Sequence, residues 1–305
     1  MKICFGGLTK HLKKNIPSTV LIIKRSGGIG DLLMLSPALE ELKLQFPKIV
    51  LDLSFDYSIP NYLETASNWD VLNDVKNYQT LSLDGYDFVI DVTSACIQYE
   101  SSLFPPINRI DLYASFLGLD SLASSKPTYI INKTYSDKLA GLPKPYIGLH
   151  ISSSDVKRDW PTQYYGELIQ SVSDELKCTF VLLDYKSILN KEDFPPNVIR
   201  PKNLELMELA SIINQLDLLV CPDSGPMHLA GALDTPCIAL FGSTLPAARI
   251  NHYEGHRALQ TDSLDCLGCW YSECDKNFEC MKALNSDMVK SMILEVLNED
   301  MFRFR

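Results

Sequence analysis

Apolar runs recur along the chain between longer stretches of mixed polarity. They read "VLIIK" (20–24), "IVLDLSF" (49–55), "YDFVIDV" (86–92), "YIGLHI" (146–151), "CTFVLLD" (178–184), "LDLLVC" (216–221) and "PCIALFG" (236–242). Amphipathic stretches lie between them at 31–46, 108–117, 161–176, 204–214 and 225–233. Apolar strands that show little alternation belong to sheets covered on both faces, and strands that alternate with helices pair in parallel. The pattern predicts an α/β, doubly wound architecture.

The segment "LAGLPKPY" (139–146) holds two prolines and a glycine just before a new strand and reads as a linker. It divides the chain into 1–143 and 144–305, each able to form a Rossmann-like half. There is no internal repeat and no low-complexity tract. The last stretch, "SDMVKSMILEVLNEDMFRFR", has helical periodicity with Ser286 as the expected N-cap.

Composition narrows the functional classes. The 305 residues, 46% apolar and 22% charged, suit a globular protein of two domains. No apolar window is long enough for a membrane helix, and "MKICFGGLTKHLKKN" makes a poor signal peptide, so a cytoplasmic location is expected. A net charge of −10 disfavours a non-specific nucleic-acid binder. The first 48 residues are nevertheless basic, with Lys2, Lys10, Lys13, Lys14, Lys24, Arg25, Lys43 and Lys48 against Asp31, Glu40 and Glu41. This end is either a solvated surface helix or a face toward anionic lipid or an anionic acceptor, which would give peripheral membrane contact.

The candidate chemistry begins after the first strand. Gly28-Ile29-Gly30 is followed by Asp31, so the third glycine of a dinucleotide fingerprint is missing, and no Walker loop is present. Asp31 at a helix start has two readings. It caps backbone N–H groups and complements the macrodipole, worth roughly 0.5–2 kcal/mol. Alternatively it is a general base at the carboxyl edge of a parallel sheet, where open α/β folds bind substrate. A second motif, "LVCPDSGPMHLAGALDTPCIALFGSTLP" (219–246), places Asp223-Ser224-Gly225 at another helix start, with His228 one turn in and a further glycine turn at "FGST". A helix N-terminus with a hydroxyl and a small residue suits an anion.

Taken in order, "VLIIKRSGGIGDLLMLSPALEELKLQFP", "IGLHISSSDVKRDWPTQYYGELI" and "CPDSGPMHLAGALDTPCIALFGSTLP" resemble glycosyltransferase family 9, the lipopolysaccharide heptosyltransferases. The resemblance implies a GT-B fold, two Rossmann-like domains facing across a cleft, with the acceptor on 1–143 and a nucleotide sugar on 144–305. It implies that Asp31 deprotonates the acceptor hydroxyl in an inverting displacement. It places Gly28, Gly30, Ser152, Ser153, Lys157, Arg158, Asp223, Ser224, Gly225 and His228 around the ligands, with Arg158 at the family's phosphate-binding lysine and Lys157 as the alternative. No catalytic metal is required. The implied donor is ADP-heptose or a related nucleotide sugar. The implied acceptor is a saccharide of lipopolysaccharide core or another surface glycan, with a protein acceptor second. The chain departs from the family between "VLLDYKS" and "NLELMEL", which lacks the usual glycine-rich turn. Rival readings are a GT-B-like sugar-nucleotide epimerase and a non-catalytic nucleotide-sugar-binding protein.

There are nine cysteines. Cys4, Cys96, Cys178, Cys221 and Cys237 are scattered, and the last three read as buried thiols in strands. Cys266, Cys269, Cys274 and Cys280 fall within segment 266–280, a spacing that can close a tetrahedral zinc or iron site. Free thiols and disulfides are the alternatives. The segment is similar to the four-cysteine set that holds iron in bacterial autotransporter heptosyltransferases, which implies a closed, structural site.

Overall fold

The computed structural model describes residues 2–3, 8–13, 18–93, 95, 106–131, 139–183, 188–189, 194–270 and 273–303, the side chains of 2–3 and 300–303 excepted. Cys4, Cys96 and, after "VLL" at 181–183, residues 184–187 and 190–193 lie outside these residues. The chain forms two compact units, Met1–Asn132 and Lys133–Arg305.

In the first unit the elements run β1 (Lys2–Ile3), α1 (Leu8–Leu12), β2 (Thr19–Ile23), α2 (Ile29–Gln45), β3 (Val50–Phe55), α3 (Tyr62–Ala66), β4 (Asp74–Asn77), β5 (Phe88–Asp91) and α4 (Arg109–Leu117). The strands pair in parallel in the order β1-β5-β2-β3-β4. The chain moves outward from β2 to β4, then returns to the other side of β2 as β5. The gap between the carboxyl ends of β2 and β5 is therefore the switch point, where such sheets bind ligands.

Helix α2 is buried on nearly all sides, including Leu32, Leu33, Met34, Leu35, Ala38, Leu39 and Leu42. It tolerates Pro37 in its interior because a neighbour repairs the broken ladder. Proline has no N–H to give the carbonyl four residues back, and the Ser36 hydroxyl donates to that Leu33 carbonyl at 2.8 Å. Helix α4 starts at Asn108, whose side chain accepts from Ile110 N at 3.0 Å, and ends at Gly118 with φ 81°.

In the second unit the elements run β6 (Tyr146–His150), α5 (Thr162–Ser173), β7 (Thr179–Leu183), β8 (Val198–Ile199), α6 (Leu206–Ile213), β9 (Leu218–Pro222), α7 (Gly225–Ala232), β10 (Cys237–Phe241), β11 (His256–Gln260), α8 (Glu279–Lys282) and α9 (Ser286–Arg303). The parallel order is β11-β10-β9-β6-β7-β8, so the switch point lies between β6 and β9. Strands β6, β7, β9 and β10 are buried at every residue, as their unbroken apolar character requires. Their core includes Leu149, Trp160, Tyr165, Phe180, Val220, Leu240 and Ile293.

Two sequence expectations change. The cap of α9 is Asn285, whose side chain accepts from Met288 N at 3.0 Å; Ser286 instead donates to Glu167 of α5 at 2.9 Å. The basic set of the first 48 residues is not one surface. Lys24 is 3% exposed and donates to the Ser26 carbonyl, and Lys43 donates to the Ile49 carbonyl at 2.6 Å. Among the described residues no helix is long and apolar enough to cross a membrane.

Candidate functional site

Each unit carries polar residues at the carboxyl end of its switch point. In the first unit the loop after β2 turns at Gly27, with φ 122°. A Cβ there would lie 2.5 Å from Asp31 Oδ2 and 2.8 Å from Lys24 Nζ, so this position needs glycine for both conformation and space. Gly28 is the N-cap in ordinary extended backbone, and a side chain there would meet nothing within 4 Å. Gly30 is buried in the first turn. Asp31 Oδ2 accepts from Gly28 N at 2.9 Å, the capping role expected of it. Its other oxygen pairs with Arg109 at the start of α4, and the carboxylate side chain remains 18% exposed. Asp31 is thus held in one orientation by a cap and a guanidinium, with part of its surface open to a reactant.

In the second unit the loop after β6 is pinned by the Trp-Pro pair. Trp160 is 1% exposed, donates to the Leu284 carbonyl at 2.6 Å and meets Tyr165 edge-on at 4.7 Å. Tyr165 donates to the His150 carbonyl at 3.1 Å. The loop between these anchors holds Arg158 in place. Its Nη1 donates to the Asp223 carbonyl at 2.8 Å and its Nη2 to Ser154 Oγ at 2.8 Å, while its Nε is buried and, among the described residues, has no hydrogen-bond partner.

Asp223, at the end of β9, is the electrostatic centre. Its carboxylate, 2% exposed, lies 3.4 Å from Arg249 Nε, 3.6 Å from Arg158 Nη1 and 3.8 Å from His228 Nε2. Burial alone would raise the Asp223 carboxyl, but Arg249, Arg158 and His228 outweigh it and hold it below its ordinary value. His228 is 3% exposed and shares its Nδ1 with Tyr253 OH at 2.7 Å, so it serves as a buried bridge from Asp223 to Tyr253.

The hydroxyls divide into two kinds. Ser153 is committed to its own loop, donating to the Asp155 carbonyl at 2.6 Å, and Ser224 donates to the Pro222 carbonyl at 3.0 Å. Ser152 Oγ just past β6 and Ser243 Oγ just past β10 are buried and, among the described residues, have no hydrogen-bond partner. Leaving a hydroxyl in that condition costs about 1–3 kcal/mol, so both are ready donors to a ligand. Pro226 follows Gly225 in the first turn of α7 and offers no N–H, which leaves this helix start one donor fewer. Lys157 turns aside, donating to the Trp270 carbonyl at 2.7 Å and lying 3.5 Å from Asp155. The second unit therefore gathers Ser152, Arg158, Asp223, Ser224, Gly225 and His228.

The four clustered cysteines are free thiols, so the disulfide alternative is not realised. The four thiols are neighbours of one another, although among the described residues no group of three or more His, Cys, Asp or Glu is placed to hold a metal ion. Two of the thiols have other neighbours. Cys274 Sγ accepts from Phe278 N at 3.3 Å, and Cys280 packs against Gly242, where a Cβ would lie 2.6 Å from its sulfur. Burial, then the neighbouring thiols, push the Cys269 thiol up, and burial and those thiols do the same to Cys280.

The family model for glycosyltransferase family 9 (heptosyltransferase) matches residues 108–262, half of the chain. The chain belongs to this family. The matched span of this family 9 chain contains Arg109 and the whole cluster from Ser152 to Arg249, while Asp31 and Cys266–Cys280 lie outside it. Lipopolysaccharide heptosyltransferase 1 of Campylobacter coli is 30% identical over 111 residues, 33% of this chain and 32% of that protein. The match thus spans about a third of that relative's length. The crystal structure of a family 9 glycosyl transferase from Veillonella parvula superposes with TM-score 0.71 at 16% identity, covering 92% of this chain and 97% of the other. The iron-containing dodecameric glycosyltransferase TibC of enterotoxigenic E. coli also superposes with TM-score 0.71 at 16% identity, covering 93% and 77%. At such identities the likeness shows the fold, two Rossmann-like units of the GT-B class.

Sequence reasoning missed Arg109, Arg249, Ser243 and Trp270 as site residues. Arg109 is 78 residues from Asp31, and only the fold joins them. Arg249 follows "FGSTLPAA", and its proximity to a glycine turn after a buried strand is the only signal it gives.

Proposed function

We propose that this chain is an inverting glycosyltransferase that takes a heptose from ADP-heptose and passes it to a saccharide acceptor of lipopolysaccharide core or another surface glycan. The observation that carries the donor half is the cluster at the β6/β9 switch point. Two guanidiniums, Arg158 and Arg249, are held by one buried carboxylate after β9, and the flanking strands β6 and β10 are followed by two buried hydroxyls, Ser152 and Ser243, that have no hydrogen-bond partner among the described residues. A diphosphate supplies what this cluster lacks: oxygen acceptors for the hydroxyls and for Arg158 Nε, and negative charge beside the guanidiniums. The nucleotide choice is supported by TibC, which has been solved in complex with ADP-D-beta-D-heptose. The acceptor class is supported by the lipopolysaccharide heptosyltransferase relative.

On this reading Asp31 takes the proton from the acceptor hydroxyl as that oxygen bonds to the anomeric carbon. The carbon–oxygen bond to the diphosphate breaks, and the leaving charge develops against Arg158, Arg249, Ser152 and Ser243. No catalytic metal is assigned. Asp31 is held by Gly28 N–H and Arg109, an orientation that suits a base, which contributes roughly 10²–10⁴-fold. We infer a cytoplasmic location from this reading, because a nucleotide-sugar donor is found there.

The test is nucleoside diphosphate release from a panel of nucleotide sugars, with and without a core-saccharide acceptor extract. The expected result is acceptor-dependent release of ADP from ADP-heptose above all other donors. Release from no donor, or from another donor in preference, would reject this assignment.

A further inference from the structure

The chain has three tryptophans. Trp69 and Trp160 are 4% and 1% exposed and donate to the Thr128 and Leu284 carbonyls. Trp270 differs: it follows Cys269 in the cysteine segment, is half-buried, and has three cations around its ring. Arg158 Cζ lies 4.5 Å from the ring centroid, Lys157 Nζ 5.8 Å and Arg249 Cζ 6.0 Å. Lys157 also fixes the backbone there by donating to the Trp270 carbonyl. Both guanidiniums of the diphosphate cradle thus have Asp223 as a shared carboxylate neighbour and one indole as a shared aromatic neighbour. A guanidinium over an indole face is held by the ring quadrupole while its edge N–H groups stay available.

We propose that Trp270 is a positioning residue of the donor site, holding Arg158 and Arg249 at the spacing a nucleoside diphosphate requires and so making the cysteine segment a determinant of donor affinity. This rests on the donor-site reading above. The rest of the segment reaches the same loop: Gly268 N donates to the Gly242 carbonyl at 3.3 Å, and Cys280 packs on Gly242, the residue before Ser243.

The test titrates ADP by calorimetry into the wild type, Trp270→Phe and Trp270→Leu, and measures donor KM and kcat for each. Trp270→Leu is expected to weaken ADP binding about tenfold, the scale of a desolvated cation–π contact, while Trp270→Phe stays within about threefold. The loss should fall on KM more than on kcat. ADP should also change the tryptophan fluorescence of the wild type more than that of Trp270→Phe, which keeps only the buried Trp69 and Trp160. Equal ADP affinity in the wild type and Trp270→Leu overturns the inference, as does a Phe variant as weak as the Leu variant. A wild type that binds no nucleoside diphosphate overturns the donor-site reading itself, and the inference with it.

Discussion

Replacing Asp223 by Asn keeps the side-chain volume and removes one buried charge. Two guanidiniums at 3.4 and 3.6 Å, and His228 at 3.8 Å, would then face a neutral amide in a site that is 2% exposed. Removing one partner of a buried ion pair costs about 3–5 kcal/mol, because the remaining charge is left without compensation. That is a large part of the roughly 5–15 kcal/mol that stabilises a domain. Hydrogen exchange localises the effect. Amides of β9 and β10 should lose about 150- to 5000-fold of their protection, while β2 and β3 of the other unit keep theirs, since subglobal units open separately. Adding Arg249→Met should restore part of the loss, since the cost lies in the uncompensated cation. The pH dependence has a definite sign. The folded-state value of Asp223 is depressed, so its contribution is present above the ordinary carboxylate range and is lost as pH falls through the folded value. Acidification should therefore remove stability from the wild type that Asp223→Asn already lacks. Protection in β9 and β10 within about threefold of the wild type would mean that the two guanidiniums do not depend on this carboxylate, and would overturn the prediction.

Other expectations follow from single contacts. Gly27→Ala forces a left-handed backbone on a residue with a Cβ and drives that Cβ onto Asp31 and Lys24. It should lower kcat by about 10- to 100-fold through misplacement of Asp31, with ADP affinity unchanged by calorimetry. Asn285→Ala removes the side-chain acceptor for Met288 N and should cost about 1 kcal/mol, read as a fall of about 2–4 °C in the melting of the second unit.

The central strands were legible because they are buried on both faces, and short unbroken apolar runs set between amphipathic stretches are the mark of such strands. The short edge elements were not. Strand β4 reads "DVKN" and β11 reads "HRALQ", both partly exposed and polar enough to pass for loop. At α9 two adjacent capping residues, Asn285 and Ser286, compete, and the choice of Asn follows from the demand of Glu167 on the serine hydroxyl. The candidate site divides in the same way. Asp31, Arg158, Asp223 and His228 sit where strand meets helix, and their local motifs point to them. Arg109, Arg249 and Trp270 reach the same places from other segments, so only tertiary contacts identify them. The basic N-terminal end illustrates the opposite error. Lys24 counts as surface charge by composition, yet the fold buries it beside Gly27 and Asp31.

The most direct measurement of the central claim compares the wild type with Asp31→Asn in acceptor-dependent ADP release from ADP-heptose, with ADP binding measured on the same samples. Release should fall about 10²–10⁴-fold in the variant with ADP binding intact, since the proposed base belongs to one unit and the proposed diphosphate cradle to the other. Release by Asp31→Asn at the wild-type rate would leave Asp31 as a helix cap and contradict the proposed mechanism.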